Sequence, residues 1–509
     1  RRMAPTLVNV VDLKLFETTN SSTLSQGLNF QPGVRVETNC QNCGFQQVRI
    51  NGLDGPYTQI LIDSRPVFSA LSGVYGLEQI PASMIERVEV MRGGGSALFG
   101  SSAIAGTINI ITKEPLRNSG QLSHTITSLG GSSSFDNNTS LNASLVTDDH
   151  RAGLYIFGQN RYRSGYDYDG DGFTELPKLK NQTVGFRSYL KTSTYSKLTF
   201  EYHHMQEFRR GGDMLNRPPH EAHIAEQLQH SIDGGSLKFD YFSPDEKNRL
   251  SVFASAANTD RDSYYGPGND PLKAYGKTTD LTAMGGAQYV HTFDKCFFMP
   301  SDLTAGLEYN RDRLKDNMWG YNRHTDQTVN IYSAFLQNEW KNDRWGILIG
   351  GRLDKHNMVD NVIFSPRANL RFNPTQNINL RLSYSSGFRA PQAFDEDMHI
   401  ENVGGTVAMI ERAKDLKEEK SQSFSVSADM YHRFGAFQTN LLIEGFYTRL
   451  TDVFVLGKPY DRGDGILVKT RSNGPGAKVM GLTLEGKVAY LSILQIQAGL
   501  TLQRSRYDE

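Results

Sequence analysis

From Gly120 onward, apolar and polar residues alternate with a period of two over most of the chain. Stretches such as Ala152–Arg163, Ser196–Phe208, Arg249–Thr259, Asn330–Trp340, Trp345–Leu353, Asn377–Ser385 and Phe424–Tyr431 put one residue type on each face of an extended strand. About 18 such strands fit between Gly120 and Tyr507, with tight turns alternating with long loops, as in a transmembrane barrel. Asn373-Pro374-Thr375-Gln376 reads as a tight turn, and residues 209–232 and 388–420 as long loops. Strands of a soluble β-sandwich average about 5–6 residues. Several here reach about 10–13, the length that crosses a bilayer when tilted.

The first 115 residues follow a different rule. Three short β-prone runs, Gln59–Asp63, Ile85–Arg92 and Gly106–Lys113, are separated by glycine-rich turns, with the triple Gly93–Gly95 suited to positive φ. VNVVDLK and LSQGLNF, within residues 1–30, read as an entry strand and a short helix. Arg35, Arg49, Arg65, Arg87 and Arg92 recur among Glu37, Asp63, Glu86 and Glu89. That pattern predicts a small α+β domain with many internal ion pairs.

Composition narrows the class. The 54 basic and 55 acidic residues leave a net charge of −1, so no global field draws the chain to nucleic acid. Mean hydropathy is −0.47, and no apolar run reaches the roughly 18 residues that a spanning helix needs. A β-barrel stays open, because lumen-facing polar residues dilute its hydrophobicity. Gly 48, Tyr 23 and Phe 27 suit turns and aromatic girdles. Three cysteines make neither a disulfide scaffold nor a thiol-rich protein. Arg1 opens no signal segment, so one is expected upstream of it. The end at Tyr507-Asp508-Glu509 is no terminal aromatic strand.

Three blocks in order, VRINGLDGPYTQILIDSRPV, IERVEVMRG and SALFGSSAIAGTINIITK, resemble the plug domain of TonB-dependent outer-membrane receptors over most of residues 20–115. One departure is Asp63-Ser64, where that family usually has Asp-Gly. The resemblance implies a mainly β protein, with residues 1–115 forming an α+β plug inside a large antiparallel barrel built from residues 116–509. Such barrels have about 22 strands and need plugging, so roughly four would lie beyond Glu509. It further implies the outer membrane of a Gram-negative bacterium and an energy-coupling box ahead of Arg1. The partners implied are the inner-membrane TonB complex, a surface lipoprotein that captures ligand, outer-membrane lipid and lipopolysaccharide, and no nucleic acid.

Several clusters are candidate sites. Asp167, Asp169 and Asp171 in DYDGDGFTE have the D-x-D-x-D-G spacing of an oxygen-ligand calcium loop, although Lys178 stands where an EF-hand places its last glutamate. Asp213, after Gly211-Gly212, is a candidate to complete the set. Cys40-Gln41-Asn42-Cys43 fits a local disulfide, a metal clamp or a thiol contact to ligand, and an oxidising compartment favours the disulfide. Zinc-finger logic does not apply, since there is no second pair. Cys296 reads as a single buried thiol.

His203, His204, His220, His223 and His230 fall on one strand and its following loop. His399 follows Phe388-Arg389-Ala390-Pro391, a motif similar to one in haem receptors of the family, which makes His399 a candidate axial ligand. The Asn-Pro-Asp-Leu that follows in those receptors is degraded here to Lys414-Asp415-Leu416-Lys417. Tyr264 and Tyr265, in the stretch Asp262–Asn269, can stack on a flat ligand, with Cys40–Phe45 and Phe394–His399 completing the surface. With the acidic loop, this resembles the calcium-bearing loops of the cobalamin receptor. Cobalamin is therefore favoured over haem or a ferric siderophore as the imported nutrient. No Ser-His-Asp order, phosphate loop or paired catalytic carboxylate supports an enzyme or a catalytic cofactor. A passive porin or adhesin would lack the folded N-terminal domain.

Overall fold

The computed structural model describes residues 6–40, 42–65, 72–92, 103–267, 274–403 and 406–508. The Gly93–Gly95 turn lies outside the described residues.

The N-terminal domain is built on a four-stranded sheet in the order β1 (Val8–Asp12), β5 (Ile85–Arg92), β6 (Gly106–Thr112), β4 (Thr58–Ile62). β4 runs parallel to β6, and the other neighbours are antiparallel. Strands β2 (Val34–Cys40) and β3 (Phe45–Ile50) form a separate hairpin. Helices α1 (Leu13–Thr18), α2 (Leu24–Leu28) and α3 (Ser72–Gln79) pack around the sheet. α1 starts where the Asp12 carboxylate accepts the Leu15 N–H at 3.0 Å, satisfying an otherwise orphaned donor. Val11, Phe16, Leu24, Leu28, Ile50, Ile85, Val88, Ile108 and Ile110 make the core. Central β6 is buried on both faces, with Ile108 and Ile110 in the core and Thr107 and Asn109 on the opposite face. The predicted internal ion pairs include Arg87–Glu89 at 2.9 Å and Arg49–Asp54 at 2.6 Å.

Among the described residues, seventeen strands, from Ser119–Ser128 to Leu494–Tyr507, form a closed barrel in which each strand is antiparallel to the next in sequence. No described helix is long and apolar enough to cross a membrane. The outer face carries an apolar band made by cross-strand pairing. Leu370 lies opposite Leu382, and Leu382 opposite Val426, and all three are exposed. At the tight-turn end, rings gather as a lipid-interface girdle: Trp345 against Phe372 with centroids 4.4 Å apart, Phe298 against Trp340, and Phe437 against Tyr490. The inner face is polar, and the largest fully buried side chains of the molecule include Arg161, Arg209, Arg210, Arg261 and Arg371.

Strands outrun the sequence reading at the long-loop end. Ser196–Gly212 and Ile224–Phe242 take up much of the expected 209–232 loop, because main-chain pairing continues beyond the apolar band. The expected 388–420 loop folds into helix α4 (Asp395–Met398) and strands Glu401–Val403 and Thr406–Arg412. The latter pairs in parallel with Leu467–Asn473 to form a small sheet separate from the barrel sheet.

Buried ion pairs fix the N-terminal domain in the lumen. Glu78, on α3, meets Arg163 at 2.7 Å, Arg209 at 2.8 Å and Arg161 at 3.2 Å. Asp136 and Glu207 share these arginines, so three carboxylates face three guanidiniums. Burial alone would raise the Glu78 pKa, but Arg163, Arg209 and Arg161 outweigh it and hold the carboxyl far below its ordinary range. Arg92, on β5, bonds Glu444 and Glu485 at 2.8 Å each, and Tyr57 donates to Glu419 at 2.8 Å. Replacing Arg92 by Ala leaves two buried carboxylates without their cation, which costs about 3–5 kcal/mol. Arg92→Ala should therefore lower the denaturant midpoint for release of the N-terminal domain, read by limited proteolysis, with the barrel transition nearly unchanged.

Candidate functional site

The β2–β3 hairpin points to the long-loop end, and its turn brings Cys40 and Cys43 against the barrel wall. Gly44 makes the turn with φ +71, a left-handed conformation that glycine adopts without strain. The hairpin tip lies so close to the wall that a Cβ on Gly211 would fall 1.8 Å from the Asn42 carbonyl oxygen.

Four side chains from three separate parts of the chain converge there. Cys40 Sγ donates to Glu226 Oε2 at 3.1 Å, and Cys43 Sγ lies 3.4 Å from His399 Nε2. His399 Nε2 stands 3.6 Å from Glu226 Oε2. The Cys43 N–H donates to Cys40 Sγ at 3.4 Å. Both cysteines are thiols, so the favoured disulfide is not formed. The hairpin turns the two sulfurs toward Glu226 and His399. Cys296, also a thiol, is half-buried at a strand end instead of fully buried.

The surroundings are apolar and aromatic. Phe45 and Tyr265 place their rings 5.6 and 5.4 Å from the His399 ring, and Tyr264, Ala222, Ala225 and Ile400 belong to the same buried cluster. In this setting the four groups shift one another's charge. A hydrogen bond from Cys43, with help from His399 and against burial and Glu226, draws the Cys40 thiol down to about 7. Burial pushes the His399 imidazole down, but its bonds to Cys40 and Glu226 prevail and raise it to about 10. Near neutral pH the cluster holds an imidazolium beside acidic partners.

Of the residues read from sequence, Cys40, Cys43, Phe45, Tyr264, Tyr265 and His399 come together. Phe394 does not join them; it sits at the loop base with the Arg389 guanidinium 4.3 Å over its ring. Tyr264 and Tyr265 are not on a loop and do not present faces to solvent. The strand Asn248–Pro267 carries them on, in register with Gln227 and Glu226, and they are 1% and 3% exposed. Asn269 lies outside the described residues. The histidines scatter: His220 bonds Tyr275, His223 bonds Asp213, and His230 faces Glu207 inside the lumen. Sequence reasoning missed Glu226. It belongs to no motif, and only the register opposite Tyr265 and the approach of the hairpin give it a role.

A second group, Asp167, Asp169, Asp171 and Glu175, lies on the loop 164–177, with one oxygen of each within 4.8 Å of the others. Glu175, not Asp213, is the fourth carboxylate. Asp213 accepts from His223 at 2.5 Å and from the Ile224 N–H at 3.1 Å, which turns it away. Asp167 accepts the Gly170 and Gly172 N–H groups at 2.7 and 2.9 Å, and Asp171 accepts that of Phe173 at 2.8 Å. The donor set is all oxygen and suits a hard cation such as calcium.

Residues 1–107 match the family described as TonB-dependent Receptor Plug Domain, and residues 105–509 match TonB dependent receptor-like, beta-barrel. The chain is 23% identical to the vitamin B12 transporter BtuB of Vibrio vulnificus over 403 residues, 76% of this chain and 60% of that protein. It is 26% identical to the iron-regulated outer membrane virulence protein of Vibrio cholerae over 410 residues, 76% of this chain and 58% of that one. The chain thus spans less than two thirds of the length of these relatives. The crystal structure of the siderophore receptor PirA from Acinetobacter baumannii shares the fold, with a TM-score of 0.80 at 19% identity over 98% of this chain and 81% of PirA.

If Tyr265 seals the cluster as its burial indicates, Tyr265→Ala should speed alkylation of Cys43 by a membrane-impermeant maleimide on intact cells several-fold, in a Cys40→Ser, Cys296→Ser background. An unchanged rate would mean that another element covers the thiol.

Proposed function

The chain belongs to the TonB-dependent receptors, plug and barrel together, and from that premise we propose that it imports a scarce metal-containing nutrient by active transport. It is an outer-membrane protein of a Gram-negative bacterium, in a family of receptors. The observation that carries the proposal is the plug. A folded domain stands in the lumen, and its tip meets barrel and loop side chains at the long-loop end. Ligand binds at that end, and the TonB complex then supplies the energy to move the plug. A polar plug–barrel contact suits this task, because its ion pairs can be rehydrated when the domain shifts, as in other wet interfaces. A surface lipoprotein that hands over the nutrient fits as the outer partner.

Cobalamin, favoured by the sequence reading, is one candidate nutrient, in keeping with the likeness to a vitamin B12 transporter over three quarters of the chain. A ferric siderophore is equally supported, by the likeness to a ferric enterobactin receptor in sequence and to a siderophore receptor in fold. Haem comes after both: it usually recruits an axial histidine, and His399 is already engaged with Cys43 and Glu226. Binding of cyanocobalamin, a ferric siderophore and haemin to the purified protein separates the three. Cobalamin binding should survive His220→Ala, His223→Ala and His399→Ala combined. Haemin binding alone, abolished by that triple change, would reverse the order.

The Asp167–Glu175 loop is proposed to take calcium through Asp167, Asp169, Asp171 and Glu175. Chelation should raise hydrogen exchange across residues 164–177 and weaken nutrient binding. Identical exchange with and without millimolar calcium would argue that the loop stands on its own hydrogen bonds.

A further inference from the structure

Donor chemistry separates the Cys40–Cys43–Glu226–His399 cluster from every other polar group near the plug tip. It combines two sulfurs, an imidazole nitrogen and a carboxylate oxygen, all within 4.8 Å of one another. A tetrahedral zinc site with bonds of about 2.3 Å to sulfur and about 2.0–2.1 Å to nitrogen or oxygen has edges of roughly 3.3–3.8 Å between ligand atoms. Three separations here, 3.1, 3.4 and 3.6 Å, fall at or close to such edges before any adjustment. The four groups already stand at the corners of a small polyhedron.

Burial adds a second reason. Glu226 and Cys43 are 3% and 1% exposed, inside a shell of Phe45, Ala225, Tyr264 and Tyr265. Placing a carboxylate and two thiols there costs desolvation energy that a hydrophobic set of similar volume would avoid. A bound cation removes that cost by supplying the charge that the ligands' lone pairs face. The ligands are also spread over the structure: two from the plug hairpin, one from the strand Ile224–Phe242, and one from the loop that follows α4. An ion bound there would join all three.

We propose that Cys40, Cys43, Glu226 and His399 form a binding site for a single thiophilic metal ion, with zinc(II) the best match to the S2NO donor set. Two thiolates exclude calcium and magnesium, which take oxygen ligands. A carboxylate and an imidazole in the set disfavour a purely soft ion. Binding forms two metal–sulfur bonds, one metal–nitrogen bond and one metal–oxygen bond. The protons on the thiols and the imidazole are released to solvent, and no oxidation state changes. The inference rests on reading the plug tip as the ligand-binding end of the receptor, and it adds a metal-ion subsite at that end.

The test uses the full chain, purified in detergent with a non-thiol reductant, and adds zinc(II) or cobalt(II) alone. One equivalent of zinc should bind, in competition with a chromophoric chelator. Cobalt should give a thiolate-to-metal charge-transfer band with tetrahedral ligand-field absorption. Cys40→Ser and Cys43→Ser should abolish the charge-transfer band. His399→Ala and Glu226→Gln should each weaken zinc by more than the roughly 10–100-fold that loss of an outer partner costs. Cys296→Ser should change nothing. Folding of each variant is checked by heat-modified mobility of the barrel.

No stoichiometric binding, or binding indifferent to these four residues in folded protein, would overturn the proposal. Cobalamin and siderophore binding are measured on the same samples. If a nutrient chelate binds and zinc does not, the metal site fails while the receptor reading stands. If zinc binds and no chelate does, the bare ion is favoured as the substrate.

Discussion

A single carboxylate held by three guanidiniums decides where the plug sits. Glu78 reaches from α3 to Arg161, Arg163 and Arg209 on two barrel strands, and none of these side chains is exposed to any extent that water could screen. A barrel with at least the seventeen described strands has a lumen too wide for its own side chains to fill. Its inward residues are arginines, acids, serines and asparagines, so an oily domain could not dock there. The plug instead keeps an apolar core inward, and Asp63, Glu78 and Arg92 meet charged residues of the wall. Arg92 between Glu444 and Glu485 repeats the device on another side. A buried charge network contributes little net stability but penalises any arrangement that breaks it. The plug therefore has one seat in the barrel.

That seat places the β2–β3 tip. Arg209, which holds Glu78, also lies 3.0 Å from where a Cβ on Gly44 would stand, so the hairpin turn and the ion-pair cluster share a side chain. Once the plug is seated, the Cys40–Cys43 turn presses on Gly211 and meets Glu226 and His399. The chemistry of the tip thus follows from electrostatics in the lumen, and a ligand at the tip touches parts that a pull on the plug must separate. The acidic loop 164–177 lies beside the same wall, through the Thr174 N–H donating to the Gly212 carbonyl at 3.2 Å.

The barrel and the plug were legible because each obeys a local rule. Period-two alternation needs only the pleat, and Leu370, Leu382 and Val426 land on the lipid face as that rule requires. The runs Ile85–Arg92 and Gly106–Lys113 became β5 and β6 within a residue. Properties that depend on distant partners were hidden. Tyr264 and Tyr265 read as loop aromatics because nothing local shows that the strand continues under a cover formed by residues around 400. The parallel pairing of Thr406–Arg412 with Leu467–Asn473 spans some sixty positions and leaves no periodic mark. Glu226 is one acid on an alternating strand until the fold brings two cysteines to it. Glu175 displaced Asp213 from the acidic loop because His223 and the Ile224 N–H occupy the Asp213 carboxylate.

The most direct measurement is a double-mutant cycle across the plug–barrel boundary, Glu78→Gln, Arg209→Gln and the pair, read as free energy of plug release from denaturant-dependent proteolysis. Partners in contact are coupled by about 0.5–3 kcal/mol, and independent sites are additive. The structure predicts that the double mutant is less destabilised than the sum of the singles by more than about 1 kcal/mol. Strict additivity would place Glu78 away from Arg209 and contradict the seating of the plug.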